Sequence, residues 1–286
     1  MTDLRTAVRA AAERLAEAGV PSPDVDAVAL AAHLLGTGTG EVRRRMVLGE
    51  EAPPAYEDLV TERARRVPLQ HLTGRAHFRR LTLAVGPGVF VPRPESEVTA
   101  QHAIDAVRRA LACGVDHPVV VDLCTGSGAI ALAVADECPG AEVHAVELSP
   151  EAHAWAERNV ATLGAEIDLR RDDATTACEG LLGRVEVVVV NPPYIPTSME
   201  PVDPEVRDHD PALALYGGSA DGLAIPLAVA ARASRLLRRG GVLVMEHADT
   251  QGAALVGALQ AATVWAEVAD HDDLSGRPRV TVAVRA

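Results

Sequence analysis

Asn191-Pro192-Pro193-Tyr194 is the stretch best equipped to do chemistry, and it follows directly on the valine run Val187 to Val190. An asparagine amide oxygen beside a proline carbonyl offers two acceptors that can point the same way. Tyr194 adds a flat face. Such a set can take both hydrogens of an –NH2 group and stack on the plane behind it. The chemistry served would be group transfer to an amide or amine nitrogen, which must be aimed and whose developing charge must be stabilised. The alternative is a plain turn, because Asn-Pro is a common turn signal.

A second set lies upstream, at Asp122-Leu123-Cys124-Thr125-Gly126-Ser127-Gly128. Gly126 and Gly128 let the backbone pass close to a ligand, and the amides of the helix opening at Ala129 face it. Glu147 closes the next strand, where a carboxylate can take both hydroxyls of a ribose. Gly126-x-Gly128-x-x-Ala131 also fits a dinucleotide fingerprint, so a nicotinamide dehydrogenase shares everything up to Glu147. Asn-Pro-Pro-Tyr separates the two readings, since a dehydrogenase has no use for it.

These residues need a sheet to hold them. The valine run predicts a central strand buried on both faces, stopped by prolines that lack an N–H. From Pro118 onward strands and helices alternate. The expected strands are Val119–Leu123, Glu142–Glu147, Glu166–Arg170, Val185–Val190, Gly241–Glu246, Thr263–Ala269 and Arg279–Val284. The last two are joined through Ser275-Gly276, too short for a helical crossover, so they should be antiparallel neighbours. The expectation is a mostly parallel seven-stranded sheet with one reversed edge strand, carried by residues 93–286. Upstream, Leu81–Val85 and Val89–Val91 flank Gly86-Pro87-Gly88 and predict a β-hairpin linker within residues 75–92. Residues 1–74 read as a small all-helical domain, with the helix starting after Ser22 opened by Pro23. That domain is either a stabilising cap or a substrate-recognition module.

Composition narrows the function. The chain has 286 residues, 48% of them hydrophobic and only 2% aromatic, so Ala, Val and Leu must build the core. A net charge of −13 argues against a non-specific grip on nucleic acid. Cys113, Cys124, Cys138 and Cys178 form no Cys-x-x-Cys pair, which argues against a zinc site or disulfide framework. His71, His77 and His209 have no partner at metal or nucleophile spacing. Arg93 and Glu97 suit a structural salt bridge as well as a substrate contact. The start lacks the apolar core of a signal peptide, and no apolar run is long enough for a membrane span. The expected location is cytoplasmic.

Asp122 to Gly128, Glu147 and Asn191 to Tyr194 together resemble class I S-adenosylmethionine-dependent methyltransferases of the Asn-Pro-Pro-Tyr type. Further motifs are similar to those of the peptide chain release factor glutamine methyltransferases. They are Gln70-His71-Leu72-Thr73-Gly74, Phe90-Val91-Pro92-Arg93-Pro94-Glu95-Ser96-Glu97, Asp221-Gly222-Leu223 and Asp273-Leu274-Ser275-Gly276-Arg277-Pro278-Arg279-Val280. The resemblance runs from about residue 70 to the end and implies an α/β, Rossmann-like methyltransferase domain behind the helical one. It implies S-adenosylmethionine as cofactor, whose sulfonium methyl is already activated and needs no metal. It assigns the cofactor to Asp122, Cys124, Thr125, Gly126, Ser127, Gly128, Glu147, Asp173 and Asn191, with Asp172 the alternative to Asp173 at the adenine. Asp122 or a loop carbonyl would hold the methionine ammonium. Asn191, Pro192, Pro193 and Tyr194 would bind the substrate, with Asn191, Pro192 and Tyr194 acting in catalysis. The implied substrate is the glutamine of a Gly-Gly-Gln loop in a release factor, taken by a monomer without direct contact to nucleic acid or membrane. A ribosomal-protein glutamine, an adenine amino group and a non-catalytic cofactor-binding regulator are the competing functions. The sequence departs from the family at Cys124, where a glycine is usual, and at Arg171-Asp172-Asp173-Ala174, which lacks an aromatic.

Overall fold

The computed structural model describes residues 2–286; Met1, the first residue of the stretch tested for a leader, lies outside them. The helices of the first part are α1 (Leu4–Glu17), α2 (Pro23–Leu35), α3 (Thr39–Leu48), α4 (Tyr56–Ala64) and α5 (Leu69–Thr73). Strands β1 (Arg75–Phe78) and β2 (Leu81–Ala84) follow, then α6 (Ser96–Ala112). The alternating part runs β3 (Val119–Leu123), α7 (Ala129–Glu137), β4 (Glu142–Glu147), α8 (Pro150–Leu163), β5 (Ile167–Arg171) and β6 (Val185–Val190). It continues with α9 (Pro204–His209), α10 (Ala212–Leu215), α11 (Ala224–Leu236), β7 (Leu237–Glu246), α12 (Gly252–Ala261), β8 (Trp265–Asp272) and β9 (Pro278–Arg285).

The chain divides into two compact units, one running to Arg75 with Pro201–His209 added, the other holding Ala76–Glu200 and Asp210–Ala286. The helical unit has its own core of Leu4, Leu15, Leu30, Val42, Tyr56 and Val60. Asp3 caps α1 by accepting from the Thr6 amide, and Gly36 ends α2 in the left-handed region at φ 60°. Residues 93–286 are therefore not one continuous body, because Pro201–His209 packs with the helices. The reason is an ion-pair cluster: buried Arg63 pairs with Asp26 and Glu205, each at 2.7 Å, and Arg66 reaches Glu205 at 2.9 Å.

The larger unit is built on a seven-stranded sheet in the order β5-β4-β3-β6-β7-β9-β8. Every residue of β3 and β6 is buried. Side chains alternate between two cores, as a pleated strand requires. Val121, Leu123, Val188 and Val190 pack with α11 and α12, while Val120, Val187 and Val189 pack with α6 and α7. Strand β9 is antiparallel to both β7 and β8. The reversed strand therefore lies one place in from the edge, not at it. The α12 crossover leaves a one-strand gap between β7 and β8, and the tight return after β8 sends β9 into that gap.

The hairpin is also displaced from its expected place. It consists of β1 and β2 turning through Arg79-Arg80, and Val89–Val91 is not a strand. Gly86-Pro87-Gly88 instead wraps the Trp155 ring: a Cβ on Gly86 would collide with it, and Trp155 Nε1 donates to the Pro87 carbonyl. Val85, Val89 and Val91 form a small core against Ala152 and Trp155.

Candidate active site

Strand register fixes which functional residues are neighbours. Leu123 lies opposite Val146 on one side and Val190 on the other. Val190 lies opposite Met245, and Glu147 opposite Arg171. The residues at the carboxyl edge thus follow in a row: Asp172 and Asp173 beyond β5, Glu147, Cys124, Asn191, then Glu246. Sequence order reverses between β3 and β6, which opens a crevice at this edge where ligands bind in open α/β sheets.

The glycine loop is held from below. Thr125 Oγ1 donates to Asp122 Oδ2 at 2.6 Å, and the Ala131 amide donates to the same oxygen at 3.1 Å. Asp122 Oδ1 is buried without a partner, as is Ser127 Oγ. Burial pushes the Asp122 carboxyl up to about 7 against those two hydrogen bonds. Glu147 accepts from the Gly126 amide and the Ser149 amide, each at 2.8 Å, and burial raises its pKa as well. Gly128 enters α7 at φ 85°, with Leu132 close to where a Cβ would stand. Asn159 ties the loop to β2, donating to the Ser127 carbonyl at 2.9 Å while bonding both the amide and the carbonyl of Ala84. Cys124 sits in the left-handed region at φ 64°, where glycine is favoured and a side chain is strained. Burial and then the charges of Glu147, Asp122 and Asp173 keep its thiol protonated, which leaves no thiolate for nucleophilic chemistry.

Those charges discriminate between ligands. Asp122, Glu147 and Asp173 converge on Cys124, and among the described residues no arginine bonds any of them. A pyrophosphate would be repelled here, whereas a ligand with a sulfonium and an ammonium supplies the missing positive charge. Asp172 and Asp173 are exposed; Asp173 Oδ1 accepts from Thr175 at its amide and hydroxyl, and Asp172 Oδ1 accepts from the Asp173 amide.

Asn191 is half-buried at the end of β6, and its Nδ2 donates to Ser96 Oγ at 3.1 Å. Pro192 and Pro193 are buried, and burial raises the Tyr194 phenol. The backbone beyond is clamped. Gln251 Nε2 donates to the carbonyls of Tyr194, at 2.8 Å, and Asp221, at 2.7 Å. Gly222 passes so close that a Cβ would collide with the Tyr194 carbonyl. Asp221 caps the turn by accepting from the Leu223 amide. This accounts for Asp221-Gly222-Leu223 as a support for the Asn-Pro-Pro-Tyr loop. Arg93 pairs with Asp210 and stacks on Phe90, and Glu97 accepts from the Arg79 amide, so both are engaged within the fold.

Residues 6–74 match the family described as PrmC N-terminal domain, and residues 92–201 match the Methyltransferase small domain. A Release factor glutamine methyltransferase of Streptomyces coelicolor is 53% identical over 287 residues, covering 100% of this chain and 99% of the relative. The chain belongs to the release factor glutamine methyltransferases. Relatives of the same name from Bifidobacterium longum and Mycolicibacterium smegmatis are 45% and 47% identical, over 97% and 100% of this chain and 98% and 99% of theirs. Gln251 is a support of the Asn-Pro-Pro-Tyr loop that the sequence motifs do not mark. A lone Gln at a helix start carries no distinguishing spacing. Among the described residues no cluster of His, Cys, Asp or Glu could hold a metal, and no helix is long and apolar enough to cross a membrane.

Proposed function

We propose that the chain transfers a methyl group from S-adenosylmethionine to the side-chain amide nitrogen of the glutamine in the Gly-Gly-Gln motif of peptide chain release factors. The observation that carries this reading is the adjacency of Asn191 to the uncompensated carboxylates around Cys124 on neighbouring strand ends. Glu147 would take the ribose hydroxyls, Asp173 the adenine amino group, and the Cys124–Gly128 backbone the methionine end. Asp122 shapes that loop through Thr125 and Ala131, and its buried Oδ1 or a loop carbonyl would hold the ammonium. When bound, the cofactor supplies a methyl already activated on sulfur.

The chain's own residues must deal with a poor nucleophile, because an amide lone pair is delocalised into its carbonyl. Asn191 Oδ1 and the Pro192 carbonyl each accept one amide hydrogen and so fix the nitrogen. The same two acceptors stabilise the positive charge that develops on it. Pro193 keeps the backbone of the set rigid, and Tyr194 packs on the amide plane. No strong base is required, since the amide proton becomes acidic as the new bond forms and can leave to water. The partner is a protein, not nucleic acid, in keeping with a net charge of −13. The test is to incubate the enzyme with labelled cofactor and an intact Gly-Gly-Gln-bearing factor, then locate the methyl by mass spectrometry. Label on the glutamine amide supports the reading; no label, or label elsewhere, overturns it.

A further inference from the structure

Glu246 ends β7 beside Asn191, is 2% exposed, and has no part in the chemistry derived above. Its carboxylate accepts from Thr99 Oγ1 at 2.9 Å, and Ser96, one helical turn before Thr99, lies near enough to lower its pKa through its hydroxyl. Ser96 Oγ in turn accepts from Asn191 Nδ2 at 3.1 Å. Ser96 and Thr99 are 4% and 0% exposed, so their hydroxyls have little solvent to turn to.

The direction of this chain of bonds follows from what each group carries. A carboxylate has only acceptors, and a serine hydroxyl has one hydrogen. The Ser96 hydrogen therefore goes to Glu246, and only lone pairs remain for Asn191. Only the NH2 end of the Asn191 amide can meet a lone pair. Its oxygen is thereby left for an incoming –NH2 group. Turned over, the amide would present its own NH2 to the substrate's NH2, and neither would have an acceptor. We propose that Glu246, acting through Ser96, sets which end of the Asn191 amide faces the substrate, and is thus a positioning residue for methyl transfer. This rests on the reading of Asn191 as acceptor for the substrate amide.

The arrangement is sensitive to protonation. Burial brings the Glu246 carboxyl to about 7, against the hydrogen bonds of Ser96 and Thr99 and the charge of Arg279 on β9, while Glu95 before α6 adds to the rise. Tyr194, from the loop after β6, is the other titratable group facing it. A protonated Glu246 can donate to Ser96, which frees the Ser96 hydrogen for the Asn191 oxygen and lets the amide turn over. Turnover should then fall as pH drops through about 7.

The experiment measures kcat of the full-length enzyme at saturating cofactor, on an intact Gly-Gly-Gln-bearing protein, from about pH 6 to about pH 9. Ser96→Ala should lower kcat about tenfold and leave cofactor affinity within about twofold. Added to Asn191→Ala it should cost nothing more, because residues acting through one another are not additive. Glu246→Gln should flatten the acid limb, and Thr99→Val, which removes one bond from the carboxylate, should move that limb to higher pH. Additive losses for Ser96→Ala and Asn191→Ala overturn the proposal even if Glu246→Gln fails to fold, and so does an unmoved acid limb in a folded Glu246→Gln. Wild type with no activity on this substrate overturns the reading of Asn191 and this one with it. Wild-type activity with additive losses overturns this one alone.

Discussion

The side chain of Asn191 sits half-buried with one end of its amide already committed to Ser96. Asn191→Ala removes the acceptor that aims the substrate nitrogen. By analogy with a lost transition-state hydrogen bond, turnover should drop roughly 10²-fold or more. Cofactor affinity should change far less, and near-normal turnover would show that the asparagine only ends a strand. Glu147 and Asp122 govern the other ligand. Both carboxyls are raised by burial, Asp122 to about 7, so near neutral pH part of the Asp122 population is protonated. A cationic cofactor favours the ionised forms, and its affinity should therefore rise as pH rises through about 7, with protons released on binding. Calorimetry in two buffers of different ionisation heat reads that release directly. Glu147→Ala should weaken binding by the loss of charged hydrogen bonds worth about 1.5–3 kcal/mol each. Proton uptake on binding would remove Asp122 from the cofactor site, and unchanged affinity in the variant would remove Glu147.

Elements bring these residues together, and here the sequence was informative to different degrees. β3, β4 and β6 occupy the expected spans; in β3 and β6 an unbroken valine-rich run close to Gly or Pro admits little else. Those spans put Glu147, Cys124 and Asn191 at strand ends, and the order β4-β3-β6 makes those ends neighbours. The hairpin lies earlier than the sequence suggests, because Leu81, Leu83 and Val85 alternate well and Gly86-Pro87-Gly88 resembles a turn. Periodicity does not reveal that Gly86 is needed to pass Trp155, which is distant in sequence. The short connection implies a reversed strand but not its slot, since pairing order depends on the α12 crossover. Nor could motif spacing reveal that Gln251, from the start of α12, grips the Tyr194 carbonyl. That clamp gives Gly222 a testable role. Gly222→Ala places a Cβ against the Tyr194 carbonyl at φ 75°, a conformation strained for alanine. Displacing the loop by even a fraction of an ångström should lower kcat by about tenfold or more while cofactor affinity holds. Equal losses in both would indicate that the whole edge, not the loop, has moved.

At the scale of the molecule, every chemical motif lies beyond Phe90, and the helical unit has a core of its own. A single glutamine buries too little area for a stable protein complex, so affinity for an intact factor needs a further surface. The helical unit is the module available to supply one. It also holds Pro201–His209, part of the long connection that leaves the Asn-Pro-Pro-Tyr loop, through Arg63 and Arg66 on Glu205. A chain starting at Gly74 should still bind S-adenosylmethionine, because Asp122 to Gly128 and Glu147 are untouched. It should methylate the intact factor with kcat/KM reduced by about 10² or more, the scale of a lost anchoring surface. On a short Gly-Gly-Gln peptide, which cannot reach a second surface, full-length and shortened enzyme should be similarly poor. The shortened chain strips Glu205 of both arginines, so its fold must first be checked by circular dichroism. Glu205→Ala in the full-length chain is the companion test. It unties Pro201–His209 but keeps the helices, at the cost of leaving buried Arg63 with the Asp26 carboxylate and the Val67 carbonyl. If the helices only recognise the factor, this variant should retain most of the kcat/KM that truncation loses. If it falls as far as the truncation does, the tie to the loop, not the helical surface, is what the intact substrate depends on. Equal kcat/KM for full-length and shortened enzyme on the intact factor would show that the helical unit takes no part in recognition.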